Sequence, residues 1–142
     1  MVRFITNINK TRLLTISIGI IYSWFGALKF FPELSPADTL AKKTISFLTI
    51  GVLPEMISIL TLALIEVIIG FFLIFNFQLK KAIIIAILHL VLTFIPVFFF
   101  PDISFSKAPF VLTLEGQYII KNIVIISALL LIYTLDNHKT IA

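Results

Sequence analysis

The chain has 142 residues, of which 60% are hydrophobic and only 13% are charged, with a formal net charge of +4 and no cysteine. Soluble globular domains have about 25% charged residues, so this composition excludes an ordinary soluble domain and indicates an integral membrane protein. The missing cysteines exclude thiol nucleophiles, disulfide exchange, iron–sulfur ligation and cysteine–zinc sites.

Four apolar segments are each close to the roughly 20 residues that a helix needs to cross a bilayer core about 30 Å thick. We therefore predict an all-α membrane protein with one domain, residues 1–142, whose four transmembrane helices form a bundle. The predicted spans are residues 12–31, 54–75, 80–100 and 115–135. The first span has no A-x-A-like cleavage site, so we expect it to be retained rather than removed as a signal peptide.

The connection after the first span contains "SPADTLAKKTISFL", residues 35–48, which predicts a short amphipathic helix. Ser35 is a suitable N-cap and Pro36 suits the first helical position. The apolar positions share one face, and the opposite face carries three charged residues, Asp38, Lys42 and Lys43. Such a helix is expected to lie on the outer membrane surface, either as a fixed cover of the bundle or as a gate over a site.

The connections after the second and third spans differ in length and in proline content. Residues 76–81 are few enough to make the second and third spans an antiparallel hairpin. Residues 101–113 contain two prolines, and we expect this connection to be irregular. Thr113 is a suitable N-cap for the fourth span, with Glu115 in its first turn.

Basic residues near the ends of the spans predict the orientation. An even number of spans places both termini on one side, and the basic residues of that side are Arg3, Lys10, Arg12, Lys80, Lys81 and Lys139. The other side has fewer, namely Lys42, Lys43 and Lys107. By the positive-inside rule both termini are expected to be cytoplasmic, in a cytoplasmic membrane of the bacterial type. The positive charge follows from this asymmetry, so we expect a lipid bilayer and no nucleic acid as partner.

Polar residues inside the spans predict a site. Counting about 1.5 Å per residue places Glu66 about 18 Å below Pro54. The same count places His89 about 14 Å from Lys80, so both residues lie near the middle of the bilayer. A charge there costs at least about 2.5 kcal/mol, so Glu66 must be protonated, solvated or paired with a partner. The candidate partners on other spans are Lys29, Lys121 and His89. We therefore predict a polar chamber in the outer half of the bundle, formed by Lys29, Glu66, His89, Glu115, Gln117, Lys121 and Asn122.

These residues also have structural interpretations. Lys29 can extend to the headgroups near the end of its span, and a single membrane histidine such as His89 is more often structural than functional. Glu66 and His89 are the best candidates for proton transfer, while the identity of any catalytic residue is left open. Trp24 is a candidate for ligand stacking or, alternatively, for packing and anchoring in the outer half of the membrane.

Four segments in chain order form a pattern: "YSWFGALKFFPELSP" at 22–36, "LALIEVIIGFFL" at 62–73, "HLVLTFIPVFFFPD" at 89–102 and "TLEGQYIIKNIVIISA" at 113–128. Together they resemble the DoxX family in order and spacing over nearly the whole chain. The most specific features are the Lys121 and Asn122 pair at the start of the last span and the Gly-x-x-Lys-Phe motif that begins at Gly26.

This resemblance implies a small four-helix integral membrane protein. Founding members of the family resemble subunits of a thiosulfate:quinone oxidoreductase, and other relatives are associated with redox or sulfur stress. We therefore expect a membrane subunit of a redox or quinone-linked system, whose chamber holds a quinone headgroup or a small anion. No covalent or metal cofactor is expected. The chain encodes no electron carrier, so we expect a protein partner or a homo-oligomer.

Two other classes of function compete with this hypothesis. The chain could be a non-catalytic assembly or scaffold protein, in which the polar cluster joins the helices and binds nothing. It could also be a transporter of protons or small solutes. The sequence shows no paired repeats and no sign of discontinuous helices, which argues against a transporter.

Overall fold

The computed structural model describes residues 9–31, 34–35 and 38–141. It is mostly helical (78%), and the described residues include four helices long and apolar enough to cross a membrane. These are Lys10–Leu28, Glu55–Phe75, Leu79–Phe99 and Leu114–Asp136. The prediction of four membrane-length helices is therefore confirmed. Arg3, Pro36 and the side chains of Asp38 and Lys139, which the sequence argument used, lie outside the described residues.

The elements follow one another with short connections. In chain order they are α1 (Lys10–Leu28), α2 (Asp38–Leu48), α3 (Glu55–Phe75), α4 (Leu79–Leu92), α5 (Ile95–Phe99), α6 (Pro101–Ser104), β1 (Phe105–Lys107), β2 (Val111–Leu112) and α7 (Leu114–Ile141). We call the end of the long helices that carries α2 and the β1–β2 pair the loop end. The opposite end, with the start of α1 and the turn between α3 and α4, is the terminal end.

Helices α1 and α3 pack against each other more extensively than any other pair. Small residues make this approach possible, because a Cβ atom on Gly19 would lie 2.8 Å from the carbonyl oxygen of Gly70. A Cβ atom on Gly26 would lie 2.8 Å from the Cβ of Glu66. Helices in lipid gain little from apolar contact alone, so close backbone approach at small residues is an effective way to join them.

The terminal end holds the apolar core and a capping interaction. The core residues come from α1, α3, α4 and α7, namely Ile18, Tyr22, Ile69, Leu73, Ala82, Ile83, Ala86, Leu90, Leu129 and Ile132. The Arg12 guanidinium donates to the carbonyl of Leu73 at 3.2 Å and also to that of Ile74. These carbonyls belong to the last turn of α3, where a positive charge is favourable.

The third span contains a kink that the sequence interpretation did not include. Helix α4 ends at Leu92, and α5 begins at Ile95. Pro96 has no amide hydrogen to donate to the carbonyl of Leu92, and its ring disfavours a regular helix there. The backbone instead makes shorter-range bonds, such as Phe94 to Val91 at 3.1 Å. The backbone of Thr93 and Phe94 stays in the right-handed helical region, so the span is one membrane-length helix, Leu79–Phe99, with a kink.

The connection at residues 101–113 contains regular secondary structure, although an irregular connection was expected. It contains α6 and an antiparallel pair of strands, with Phe105 opposite Leu112 and Lys107 opposite Val111. The predicted N-cap of the last helix is confirmed, because the Thr113 hydroxyl accepts from the amide of Gly116 at 3.1 Å. The same hydroxyl donates to the carbonyl of Ile103 at 2.6 Å, which joins α6 to the start of α7.

Candidate functional site

A cavity of about 420 Å³ lies at the loop end, lined by residues of α1, α2, α3, α4, α5 and α7. Most of its wall is apolar, formed by Ile21, Phe25, Leu40, Ala41, Leu48, Leu62, Leu90, Leu92, Pro96, Ile119 and Ile125. The polar lining residues are Tyr22, Lys29, Ser35, Thr44, Glu66, His89, Thr93, Glu115, Tyr118, Lys121 and Asn122. The cavity therefore combines an apolar wall with a few polar groups, as small-molecule sites commonly do.

An ion pair between α3 and the end of α1 forms one part of the polar lining. Lys29 Nζ lies 2.6 Å from Glu66 Oε2, and each side chain is 9% exposed. Lys29 follows directly after α1, and its amine also lies 3.4 Å from the carbonyl oxygen of Phe25. The backbone of α1 approaches Glu66 closely at Gly26. The Lys29 side chain is therefore directed into the protein, where it meets a carboxylate, rather than to the headgroups.

His89 continues this contact from α4. Its Nε2 atom lies 3.4 Å from Glu66 Oε1, and its Nδ1 atom lies 3.2 Å from the hydroxyl of Tyr22. The Tyr22 hydroxyl also donates to the carbonyl of Ala86 at 3.0 Å. Lys29, Glu66, His89 and Tyr22 thus form one chain of contacts across α1, α3 and α4, which we call the buried network.

The hydrogen positions in the buried network are coupled. When the Tyr22 hydroxyl donates to Ala86, its oxygen is left to accept from His89 Nδ1–H. In the other neutral tautomer, His89 Nε2–H donates to Glu66 Oε1 and Nδ1 accepts from the Tyr22 hydroxyl. The pair is therefore a site at which a proton can be held or passed on.

Tyr22 was not among the predicted site residues. A tyrosine within an apolar run resembles a packing residue, since its ring is large and mostly apolar. The signal that could have identified it is its position, four residues before Gly26 and three after Gly19, on the face of small residues that meets α3. Its side chain is 5% exposed and joins the apolar core to the buried network.

The last helix contributes the other polar wall of the cavity. Asn122 Nδ2 donates to Thr93 Oγ1 at 3.0 Å, which joins α7 to the kink in the third span. Thr93 Oγ1 in turn donates to the carbonyl of Leu90 at 2.6 Å. Lys121 is exposed, and its amine lies 5.7 Å from the centre of the Tyr118 ring. Lys121 therefore faces the open part of the cavity and does not contact Glu66.

The structure brings most of the predicted site residues together. Those that line the cavity are Lys29, Glu66, His89, Glu115, Lys121 and Asn122. Gln117 and Trp24 are not among the lining residues; Gln117 is exposed, and Trp24 is 66% exposed. A side chain as exposed as Trp24 on an apolar helix faces the surroundings, which fits an anchoring residue better than a stacking platform.

Hydrogen bonding inside the described part of the chain is complete. No buried side-chain nitrogen or oxygen atom among the described residues lacks a hydrogen-bond partner. In the same residues, no group of three or more His, Asp or Glu side chains is placed to hold a metal ion. The chemistry that these side chains themselves offer is hydrogen bonding, charge and proton exchange.

Comparison with known proteins gives no match: no family model, no curated protein and no solved structure is significantly similar to this chain. The resemblance to the DoxX family therefore rests on the four sequence segments alone. The function must be argued from the geometry and chemistry of the cavity.

Proposed function

We propose that the chain is a DoxX-like membrane subunit of a redox or quinone-linked system, and that its cavity binds a quinone headgroup. In this proposal the four membrane-length helices form a transmembrane bundle with both termini on the cytoplasmic side of a bacterial-type membrane. The amphipathic helix α2 then lies at the outer surface and covers the cavity. The observation that carries the proposal is the buried network at the side of an otherwise apolar cavity.

The size and lining of the cavity suit a single ring with polar substituents. Ligand sites have volumes of about 300–1,000 Å³, and the cavity volume of about 420 Å³ is in the lower part of that range. A quinone ring is flat and apolar on its faces and has carbonyl oxygens at two edges. The apolar wall matches the faces, and the amine of Lys29 and the amide of Asn122, which have further hydrogens, can donate to the oxygens.

The charge distribution favours a neutral headgroup over a small anion. Lys29 is paired with Glu66, so the buried part of the lining carries little net charge. Lys121 is the remaining lysine of the lining, and Glu115 places a carboxylate in the same wall. An anion would therefore gain little at this site.

The buried network supplies the protons that quinone chemistry needs. Reduction of a quinone to a quinol takes up two electrons and two protons, and the His89–Glu66 contact is a place where a proton can be held. The electrons must come from an electron carrier in a partner subunit. The role of this chain in the proposal is to bind and orient the headgroup and to deliver protons to its oxygens.

Quantifying quinone in the purified protein tests the proposal. The full chain is purified in mild detergent, and extracted quinone is measured for the wild type, Glu66→Gln and Lys121→Met. We expect occupancy to fall strongly in Glu66→Gln, because the buried network loses its carboxylate, and to fall less in Lys121→Met. Glu55→Gln is the matched control, since Glu55 is exposed in the first turn of α3 and does not line the cavity.

Two outcomes contradict the proposal. One is a wild-type protein that carries no quinone and binds none when quinone is added. The other is full occupancy in Glu66→Gln. Loss of quinone in Glu55→Gln as well would show that the assay reports general damage, and the decrease in Glu66→Gln would then not count in favour of a site.

A second candidate function is a non-catalytic assembly or scaffold protein. The complete hydrogen bonding of the buried polar atoms in the described residues favours it, since a purely structural network needs no ligand. In that case Glu66→Gln lowers thermal stability or abolishes capture of a partner protein, and the wild type has no quinone to lose. The same set of variants therefore separates the two functions.

A further inference from the structure

The first and last long helices, α1 and α7, both line the cavity. At the terminal end α1 and α7 share the apolar core, where Ile18 of α1 and Ile132 of α7 are both buried. Towards the loop end the cavity is lined by Ile21 of α1 and by Tyr118 of α7, so it lies between the two helices there. The helices are therefore packed together at one end and separated by the cavity at the other.

The lining residues on the two sides of this gap include half-exposed side chains, namely two apolar residues of α1 and the polar Tyr118 of α7. Ile21 and Phe25 of α1 are each 41% exposed, and Tyr118 of α7 is 40% exposed, although all three line the cavity. Counting about 1.5 Å per residue from Leu28 places Ile21 about 10 Å inside the end of α1. The gap is therefore at a depth where the surroundings of a membrane-spanning helix are hydrocarbon.

Helix α2 covers the cavity from the loop end. Leu40 and Thr44 line the cavity and are buried, with exposures of 6% and 8%. Thr44 directs its hydroxyl to the carbonyl of Leu40 within the same helix, so α2 turns no free hydroxyl to the cavity at this position.

From this arrangement we infer that the ligand of the cavity is a lipid-soluble molecule with a hydrocarbon tail, which enters from the bilayer and leaves its tail between α1 and α7. This inference rests on the proposed function, because it assigns the headgroup to the cavity. To that function the inference adds the chemical class of the ligand, its route into the cavity and the helices that contact its tail. A tail in the gap would cover the half-exposed apolar side chains of Ile21 and Phe25.

Two quinones with the same headgroup provide the test, one with a decyl tail and one without a tail. Binding of each to the full chain in nanodiscs is compared between Ile21→Trp, which narrows the gap, and Ile68→Trp. Ile68 is a matched control, since it is also on a long helix, is 43% exposed and does not line the cavity. Comparing variants in identical nanodiscs cancels the partitioning of the tailed quinone into the lipid.

Relative to Ile68→Trp, we expect Ile21→Trp to weaken binding of the decyl quinone about tenfold more than binding of the tailless quinone, which contacts Ile21 only through its ring. Equal effects on both quinones, or no effect on either, would overturn the inference and leave the headgroup site intact. If neither quinone binds to the wild type, the proposed function fails and this inference fails with it.

An independent measurement uses tryptophan fluorescence, because the chain has a single tryptophan, Trp24, which can be replaced. In a Trp24→Phe background, tryptophan is placed at Phe25, beside the gap, or at Phe72, which packs against the apolar core. Nanodiscs with brominated acyl chains should quench the fluorescence of Phe25→Trp and spare that of Phe72→Trp. Recovery of the Phe25→Trp fluorescence on addition of the decyl quinone, but not of the tailless one, supports the route. If the brominated lipid does not quench Phe25→Trp at all, the route is wrong.

Discussion

Lys29 and Glu66 form a 2.6 Å ion pair between α1 and α3, and both side chains are largely removed from the surroundings. A membrane-embedded carboxylate requires such a partner, because neither water nor the lipid tails can stabilise its charge. The pair depends on the close approach of the two helices at Gly26, so the packing of small residues and the chemistry of the site are connected.

Removal of one member of this pair should be more damaging than removal of both. Glu66→Gln leaves the amine of Lys29 buried without a counter-charge, and we expect the free energy of unfolding to fall by about 3–5 kcal/mol. The double variant Lys29→Gln with Glu66→Gln keeps hydrogen-bonding groups and removes both charges, so it should recover much of this loss. Unfolding in mixed detergent micelles measures both. A double variant less stable than either single variant would contradict the pairing.

The same double variant separates stability from ligand binding. If the carboxylate serves the ligand, quinone occupancy should stay low even where stability has recovered. If the pair is purely structural, the double variant should behave like the wild type in every ligand assay, and the scaffold function would be favoured.

Gly26→Ala should destabilise the protein by about 1–3 kcal/mol, the usual cost of overpacking a tight interface. The added Cβ atom would lie 2.8 Å from the Cβ of Glu66, so α1 must move away and the ion pair must lengthen. Ala27→Val is the control, because it adds volume at the exposed neighbouring position. Equal stability of the two variants would show that the helices do not approach as closely as the structure has them.

Tyr22→Phe should change the hydrogen bonding of His89 more than it changes stability. Losing the hydroxyl costs about 1 kcal/mol, since the carbonyl of Ala86 and His89 Nδ1 each lose a partner. The ¹⁵N chemical shifts of the imidazole report which ring nitrogen carries hydrogen, and we expect them to move. Tyr133→Phe serves as control because Tyr133, also in a long helix, is only partly buried against the core. Unchanged imidazole shifts in Tyr22→Phe would remove Tyr22 from the buried network.

Asn122 and Thr93 should be energetically coupled. Their side chains hydrogen-bond at 3.0 Å between α7 and the kink in the third span. A double-mutant cycle with Asn122→Ala and Thr93→Val should give a coupling free energy of about 0.6 kcal/mol, the average for polar contacts between membrane helices. A parallel cycle with Thr134→Val should give none, since the Thr134 hydroxyl bonds to the carbonyl of Leu131 in its own helix. Additive effects of Asn122→Ala and Thr93→Val would refute the contact.

Several features of the protein follow from the sequence without a structure. The lengths and hydropathy of the apolar runs determined four membrane-length helices, because a bilayer of fixed thickness demands a fixed number of helical residues. The cost of an unpaired charge in the membrane required a partner for Glu66, and two of the three candidates, Lys29 and His89, contact it. The N-cap at Thr113 could also be predicted from the sequence, since capping depends on residues close in sequence.

The remaining features were decided by the tertiary structure. Counting residues gives the depth of a side chain in the membrane but neither the rotation of its helix nor the distance to the next helix. The choice of Lys29 over Lys121, and the position of Gln117 outside the lining, therefore depended on how the helices pack. The contribution of Tyr22, whose partners Ala86 and His89 lie on another helix, depended on it as well.

The gap between α1 and α7 is another feature that only the tertiary structure decided. Its apolar side chains on α1 are ordinary residues of a membrane-length helix, and nothing in the sequence distinguishes Ile21 from Ile68. The sequence by itself determined that the chain has membrane-length helices with a charge that needs a partner, because both follow from local composition and bilayer thickness. Only the tertiary structure decided which residues meet and where the cavity opens, because these depend on the angles and distances between helices.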